Sequence, residues 1–239
     1  MPEHLNEFGQ PIGEPMPGWT PRPLPPGGRL SGRYCRLEAL DPARHAQDVF
    51  AALCSAQDDR DWTYMAVGPF PSAAEFEAWV REAASGTDPR HYAVIDRRSG
   101  RAVGTLSLMR QDPANGVIEV GNVMFSPLLK RTTVATEAQF LLMAHAFDDL
   151  GYRRYEWKCD SRNAPSRRAA ERLGFGYEGT FRQAVVYKGR SRDTAWFSII
   201  SSEWPALRQA FDSWLEPANF DDAGRQRRSL ADVRAGIAA

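Results

Sequence analysis

Hydrophobic residues recur along the chain with two periods, which separate strands from helices. A period of two, broken by turn residues, predicts strands at residues 33–39, 91–96, 102–109, 116–125, 154–160, 177–187 and 193–202. A period of three to four predicts helices at 42–55, 134–150, 164–173 and 205–215, and a further helix that contains Phe76, Trp79 and Val80. The mixture of strands and helices predicts one α/β domain.

Helix caps and turn residues mark where these elements begin and end. Asp41 before Pro42, Ser72 with Glu75, and Asn163 with Ser166 each predict a helix N-terminus. Gly151 and Gly174 predict helix C-termini. The turns at 97–100 and 188–190 predict two hairpins.

The two ends of the chain differ from its middle. Seven prolines fall between positions 11 and 26, and proline resists both helix and sheet pairing. We therefore divide the chain into an extended Pro/Gly-rich arm at 1–32, a domain at 33–215 and a polar tail at 216–239.

A short basic loop joins the strand that ends at Phe125 to the long helix after it. Lys130 and Arg131 carry positive charge there, and threonine hydroxyls follow at 132, 133 and 136. The first N–H groups of a helix lack internal partners and the helix dipole is positive there, so a phosphate group would satisfy both. Many basic loops enter helices without binding anything, and this pattern alone leaves phosphate binding open.

Charge and composition exclude several classes of function. The 30 basic and 30 acidic residues cancel, so no overall field attracts nucleic acid or an anionic membrane. The longest nearly apolar run, 140–147, is too short to cross a bilayer, and there is no apolar signal-peptide core. Three cysteines and four histidines are scattered without metal-ligand spacing. We expect a cytoplasmic protein with reduced thiols and no metal.

The order of these motifs resembles the GNAT N-acyltransferases, and among them the ribosomal-protein N-terminal acetyltransferases. The resemblance covers residues 32–215 and rests on 135–138, 146–147, 150–154, Asp160, 163–166, 173–175, 178–179, Asp193 and 203–204. It implies an α/β (α+β) fold with a mixed, mostly antiparallel sheet flanked by helices. Two central strands would be parallel and splayed, with acetyl-CoA entering between them.

The resemblance also implies acetyl-CoA as the co-substrate. The pyrophosphate motif of the superfamily, Gln/Arg-x-x-Gly-x-Gly/Ala, falls on Lys130, Thr133 and Ala135. Thr133 replaces the glycine that allows the backbone to approach the phosphate most closely. The cofactor contacts implied are Met124, Phe125, Ser126, Lys130, Arg131, Thr132, Thr133, Val134, Ala135, Thr136, Asn163 and Ser166.

Acetyl transfer to an amine needs oxyanion donors, a proton acceptor and a proton donor for the leaving thiolate. By resemblance, a backbone N–H of residues 123–125 meets the thioester oxygen, and Asn163 and Ser166 lie near the sulfur. Ser166 is the implied proton donor, because the tyrosine that many other members use falls on Ala170. Asn163 can equally be only a helix cap.

The proton acceptor is less well defined. The carboxylate of the related branch falls on Val185 and is absent. Alternation along a strand places Glu119 on the same face as Val123 and Phe125, which makes it the candidate base. A surface role for Glu119 is equally compatible with the pattern, and Glu178 is the alternative candidate. An amine of low pKa, which arrives partly uncharged, would need less help from a base.

The acceptor is expected to be a protein N-terminus or a small-molecule amine. Trp62, Tyr64 and Trp157 are the candidate substrate contacts, because aromatic rings can stack on an apolar or cationic group. More often such loop aromatics fill a core. Nucleic acid and membrane partners are not expected, and a homodimer is compatible with the sequence.

Two other hypotheses do not involve catalysis. Thr133 and the missing base suggest a non-catalytic acyl-CoA-binding sensor or scaffold. The proline-rich arm suggests an interaction protein without enzymatic activity.

Overall fold

The computed structural model describes residues 4–238, and within them ten strands. The strands are β1 (His4–Leu5), β2 (Pro11–Ile12), β3 (Arg29–Ser31), β4 (Cys35–Ala39), β5 (Arg90–Asp96), β6 (Ala102–Asp112), β7 (Val117–Phe125), β8 (Arg154–Asp160), β9 (Gly176–Tyr187) and β10 (Arg190–Ile200). β1 and β2 form a separate small hairpin, and the other eight form one sheet.

Six α-helices lie within the same described residues. They are α1 (Pro42–Leu53), α2 (Ala73–Ser85), α3 (Thr133–Ala144), α4 (Ala164–Leu173), α5 (Trp204–Trp214) and α6 (Leu230–Ala238). Asp41, Ser72 and Asn163 each accept hydrogen bonds from backbone N–H groups in the first turn of α1, α2 and α4. α3 continues into a wider π-helical turn at His145–Asp149, so the helix predicted at 134–150 changes its winding near its end.

The sheet has the mixed, mostly antiparallel topology that the resemblance implied. Its strand order is β3-β4-β5-β6-β7-β8-β10-β9. Every neighbouring pair is antiparallel except β7 and β8, which are parallel. The fold prediction is therefore confirmed.

Different helices cover the two faces of the sheet. Buried residues of α3, α4, α5 and α6 pack with Leu106, Ile118 and Phe197 into one core on what we call the four-helix face. Buried residues of α1 and α2 pack with Ala93 and Ile95 into a second core on the two-helix face. Over β7 and β8 the two-helix face carries a cluster of charged side chains, Glu119, Glu156 and Lys158.

β7 and β8 separate along their length. Their paired register runs from Val117 opposite Arg154 to Val120 opposite Trp157. β7 then continues to Phe125 and β8 to Asp160 without further pairing to each other. The result is a split in the middle of the sheet, open at the carboxyl ends of both strands.

A β-bulge in β7 lies beside this split. The register against β6 shifts between Gly121 and Met124, so Asn122 and Val123 have no register partner on either neighbouring strand. Asn122 adopts a φ of 49°, in the left-handed region. The bulge re-aims the strand: Met124 packs in the two-helix core, whereas Val123 and Phe125 pack against the four-helix core.

The bulge corrects one prediction about Glu119. Ile118 and Val120 belong to the four-helix core, so Glu119 between them points to the two-helix face. Val123 and Phe125 are on the opposite face, and the prediction that they share a face with Glu119 was wrong. The extra residue of the bulge reverses the alternation beyond Val120.

Both terminal segments contain regular structure. β3 pairs with β4, so the sheet begins within the segment predicted as an arm. The Trp19 indole N–H of that arm donates to the Ala114 carbonyl at 2.8 Å. In the segment predicted as a polar tail, α6 buries Leu230 and Val233 in the four-helix core. No helix in residues 4–238 combines the length and apolarity needed to span a bilayer.

Candidate active site

The loop after β7 forms a tight turn that leads directly into α3. The Ser126 carbonyl accepts hydrogen bonds from the N–H groups of Leu129 and Lys130. Arg131 has a φ of 62°, which turns the backbone back toward the helix. Thr132 caps α3, because its hydroxyl accepts from the Ala135 N–H at 3.1 Å and donates to the Leu129 carbonyl at 2.7 Å.

Three backbone N–H groups in and just after this turn are left free. The N–H groups of Arg131, Thr133 and Val134 have no acceptor within the described chain. They lie at the N-terminus of α3, where the helix dipole adds partial positive charge. Unpaired amides in this position are the usual partners of phosphate oxygens.

The side chains predicted to contact the cofactor fall into two groups. The hydroxyls of Ser126 and Thr136 are buried and already hydrogen-bonded. Ser126 donates to the Val103 carbonyl at 2.6 Å, and Thr136 accepts from the Arg172 guanidinium at 3.0 Å. The Thr133 hydroxyl has no protein partner within residues 4–238 and faces partly to solvent. Lys130 pairs with Asp61 at 2.5 Å, and both side chains are about two-fifths exposed (41% and 39%). Met124 and Phe125 are packed into the two cores and offer backbone groups to the split.

A cavity adjoins the outer side of this loop. It has a volume of about 760 Å³ and is lined by Leu128, Leu129, Thr132, Thr133 and Val134 together with the β5–β6 hairpin and α1. Arg97, Arg98 and Arg101 of the hairpin also line it. No residue of β7 or β8 does, so this cavity is separate from the split between those strands.

The start of α4 lies on the four-helix side of the split. Asn163 accepts the Ser166 N–H at 3.1 Å and so caps the helix. The Ser166 hydroxyl accepts the Trp157 indole N–H at 3.0 Å. As an acceptor in that bond, the hydroxyl retains its own proton for donation. Burial raises the pKa of the neighbouring Cys159 thiol, and a hydrogen bond to Ser166 opposes the rise.

Glu119 lies in a charged cluster on the two-helix face. Its carboxylate is 5% exposed and receives the Lys158 ammonium at 2.8 Å and the Arg110 guanidinium at 3.3 Å. Lys158 also contacts Glu156 at 2.6 Å. Burial raises the pKa of Glu119, while Lys158 and Arg110 oppose the rise. A carboxylate with a raised pKa is a better proton acceptor at neutral pH than an ordinary one.

Glu178, the alternative candidate base, makes a structural ion pair. Arg154 donates to both of its oxygens, at 2.8 and 2.5 Å, and the Ser198 hydroxyl donates at 2.6 Å. The bond to Arg154 lowers the pKa of Glu178 to about 2. So acidic a carboxyl group is a poor proton acceptor.

The segment between α1 and α2 bridges the open end of the split. We call residues 58–71 the bridging segment. Asp61 reaches Lys130 beyond β7, and the Tyr64 hydroxyl donates to the Arg162 carbonyl beyond β8 at 3.1 Å. Because these two contacts lie on opposite sides of the split, the segment crosses its mouth.

The turn between β9 and β10 holds the bridging segment in place. The Lys188 ammonium donates to the carbonyls of Trp62, Val67 and Gly68, at 2.9, 3.3 and 2.7 Å. Arg190 donates to the Thr63 carbonyl at 2.8 Å. The sequence predicts only a turn at residues 188–190, because a lysine at a hairpin tip carries no signal of a partner 120 residues or more away.

The three aromatic residues predicted to contact substrate do not come together. Trp62 and Tyr64 belong to the bridging segment, where Trp62 packs edge-on against Phe70. Trp157 is 7% exposed on the four-helix face and packs against Phe175. Only Trp62 and Tyr64 therefore lie at the mouth of the split. Within residues 4–238, no group of three His, Cys, Asp or Glu side chains is arranged to hold a metal ion.

Comparison with known proteins agrees with this fold. Residues 36–176 match the acetyltransferase (GNAT) domain family. The crystal structure of a GCN5-related N-acetyltransferase from Brucella melitensis is 52% identical, with a TM-score of 0.90, covering 92% of this chain and 100% of that one. That coverage exceeds the predicted domain alone, so the terminal segments are partly shared.

More distant similarities extend to other bacterial acetyltransferases. The protein described as uncharacterized N-acetyltransferase p20 of Bacillus licheniformis is 26% identical over 180 residues, covering 74% of this chain and 95% of that protein. The RimL ribosomal L7/L12 alpha-N-protein acetyltransferase shares the fold, with 20% identity and a TM-score of 0.62 over 77% of this chain and 99% of that one.

Proposed function

The chain belongs to the GNAT family of acetyl-CoA-dependent N-acetyltransferases, and from this premise we propose that it acetylates a primary amine by direct attack in a ternary complex. Acetyl-CoA lies with its pyrophosphate against residues 131–135 and its pantetheine arm in the split between β7 and β8. Lys130 exchanges Asp61 for a phosphate oxygen when the cofactor binds.

One observation supports this proposal above the others: backbone N–H groups without an acceptor in the described chain lie at the start of α3, where the negatively charged pyrophosphate would bind. The amides of Arg131, Thr133 and Val134 meet the pyrophosphate. The bulge at Asn122 and Val123 lies a few residues earlier on the same strand, beside the split. There the Val123 N–H donates to the thioester oxygen, where charge develops during attack.

The chemistry assigns one role to each remaining group. The amine nitrogen attacks the thioester carbonyl carbon, the C–N bond forms and the C–S bond breaks. The leaving thiolate takes the proton of the Ser166 hydroxyl, which Asn163 and Trp157 hold in place, and Ser166 takes up a proton from solvent in return. Glu119 accepts the proton that the amine loses. It lies about four residues, or roughly 13 Å, along β7 from Val123, so the proton passes along a chain of several water molecules.

The acceptor enters from the two-helix face, under the bridging segment. Trp62 and Tyr64 of that segment are the proposed substrate contacts. The acceptor is a small-molecule amine or a protein N-terminus, and the similarity to ribosomal-protein acetyltransferases favours including the second class in any screen.

A second candidate, a non-catalytic acyl-CoA-binding sensor, has specific support. Thr133 stands where the superfamily motif has glycine, and Glu119 is already paired with Lys158. Such a protein would bind acetyl-CoA as well as an enzyme does and would not turn it over.

An amine screen separates the two candidates. We expect thiol release from acetyl-CoA to rise above the background hydrolysis with at least one amine from a panel of polyamines, aminoglycosides, amino acids and short peptides with free N-termini. Mass spectrometry should find one acetylated amine for each thiol released. Tight acetyl-CoA binding without release across the whole panel would favour the sensor.

A further inference from the structure

We propose that Asp160 is the carboxylate that receives the positively charged amino group of the acceptor. The inference rests on the proposed function, and it assigns a substrate-recognition site to the two-helix side of the split.

Asp160 is fixed in one orientation at the end of β8. Its side chain is buried, with 7% of the residue exposed. One carboxylate oxygen accepts the Arg162 N–H at 2.9 Å, and the other accepts the Tyr187 hydroxyl at 3.0 Å. These two bonds position the group without neutralising it.

Asp160 differs from the other buried carboxylates of the described chain. Glu38, Glu119 and Glu156 each form ion pairs with arginine or lysine. Glu137 has no such partner but accepts three backbone N–H groups, at 2.6 to 2.7 Å. Asp160 has neither a cation nor three donors. A buried carboxylate without a countercharge is costly, and a bound ammonium group would supply the missing charge.

Lys158, two residues away on the same face, pairs with Glu119 and Glu156, and three arginines of this region donate to other groups. Arg190 donates to the Thr63 carbonyl, Arg192 to the Thr194 hydroxyl and Arg167 to the Ser161 carbonyl. Tyr187, the Cys159 thiol, the exposed Arg162 and, on the adjacent strand, Asp193 also belong to this region. None of these arginines makes an ion pair with Asp160 within the part of the chain that the structure describes.

Asp160 also lies where the amine must arrive. It shares the two-helix face with Glu156 and Lys158, by alternation along β8. Glu119 lies opposite Glu156 in the register, so four residues further along Asp160 stands near the level of Val123 across the split. The bridging segment passes over the same point, since Tyr64 contacts the Arg162 carbonyl.

The role of Asp160 is distinct from that of the base. A carboxylate that binds an ammonium group stabilises the charged form of the amine and so raises the pKa of the amine. Removal of the proton then requires a second group, which is the role proposed for Glu119. Recognition by Asp160 thus selects acceptors that arrive as cations.

Matched pairs of charged and uncharged compounds test this inference. The first pair is 2-phenylethylamine and 2-phenylethanol, and the second is tri-alanine and its N-acetylated form. Each would be titrated into the protein saturated with CoA, with the unfolding temperature as the readout. In the wild type we expect at least one charged compound to bind about tenfold or more tightly than its uncharged twin, as for a charge-assisted hydrogen bond.

Two variants make the test specific. Asp160→Asn keeps the acceptor oxygen for Arg162 and should abolish the preference for the charged compound. Asp193→Asn, which alters a carboxylate on the adjacent strand β10 that accepts the Gln183 N–H, should keep it. Equal binding of the twins to the wild type, or a preference that survives in Asp160→Asn, would overturn the inference. Stabilisation by CoA alone is read in the same experiment, so a failure of the proposed function is seen separately.

Discussion

Replacing Ser166 with alanine should slow acetyl transfer by roughly 100-fold or more while leaving acetyl-CoA affinity nearly unchanged. A hydroxyl that protonates the leaving thiolate acts mainly in the transition state, so its loss appears in kcat rather than in binding. The measurement is kcat for the best acceptor from the amine screen, together with the Kd for acetyl-CoA.

Ser161→Ala is the matched control, because Ser161 lies in the same β8–α4 turn and only its backbone takes part in hydrogen bonds. The Ser166 substitution also removes the acceptor of the Trp157 N–H, so the unfolding temperature of each variant should be recorded. If Ser166→Ala keeps a near-normal kcat, Ser166 is a helix-start contact only and the proton donor lies elsewhere.

Glu119→Gln should lose most of the rate, again about 100-fold, and the acidic limb of the pH–rate profile with it. The base must be ionised to accept a proton, so the wild-type rate falls as pH drops through the pKa of Glu119. Burial raises that pKa, so the limb lies at a higher pH than an ordinary glutamate would give. The glutamine side chain cannot take up a proton in this pH range. The remaining rate of the variant should therefore follow only the ionisation of the acceptor amine.

Glu156→Gln provides the comparison within the same charged cluster, since Glu156 shares Lys158 with Glu119. We expect this variant to retain the acidic limb. A different result would remove Glu119 as the base. In that result, wild type and Glu119→Gln share a single limb, and this limb moves with the pKa of whichever acceptor is supplied. The amine would then enter already deprotonated.

Local sequence signals were sufficient to predict most of the helices and strands and the tight turn before α3. The caps Asp41, Ser72 and Asn163 act through neighbours two or three residues away, so their pattern is visible in the sequence. The same holds for the basic turn before α3. The family resemblance then supplied the pairing of strands, which depends on contacts far apart in the chain.

The bulge in β7 was beyond sequence reasoning. Asn122 reads as one more strand residue, and nothing local marks its positive φ. One inserted position reversed the faces of Val123, Met124 and Phe125, and the predicted neighbourhood of Glu119 changed with them. The Lys188 contacts and the lack of a countercharge at Asp160 were likewise invisible, because both depend on which groups the fold brings together.

The terminal segments show the same limit. Proline content correctly argued against long regular elements in residues 1–32, but it gave no sign that residues 29–31 pair with β4. Near the other end, Leu230 and Val233 are two apolar residues in a charged stretch. Their burial against the four-helix core could not be read from their spacing alone.

The proposed function depends most directly on the placement of acetyl-CoA at the start of α3. The stabilisation of the folded protein by acetyl-CoA tests this placement. Acetyl-CoA should raise the unfolding temperature of the wild type, because it binds only the folded state. The double variant Lys130→Glu/Arg131→Glu should lose most of that rise. Arg225→Glu/Arg227→Glu, an equal charge change on the exposed C-terminal segment, should retain it. A rise in the Lys130/Arg131 variant as large as in the wild type would contradict the placement.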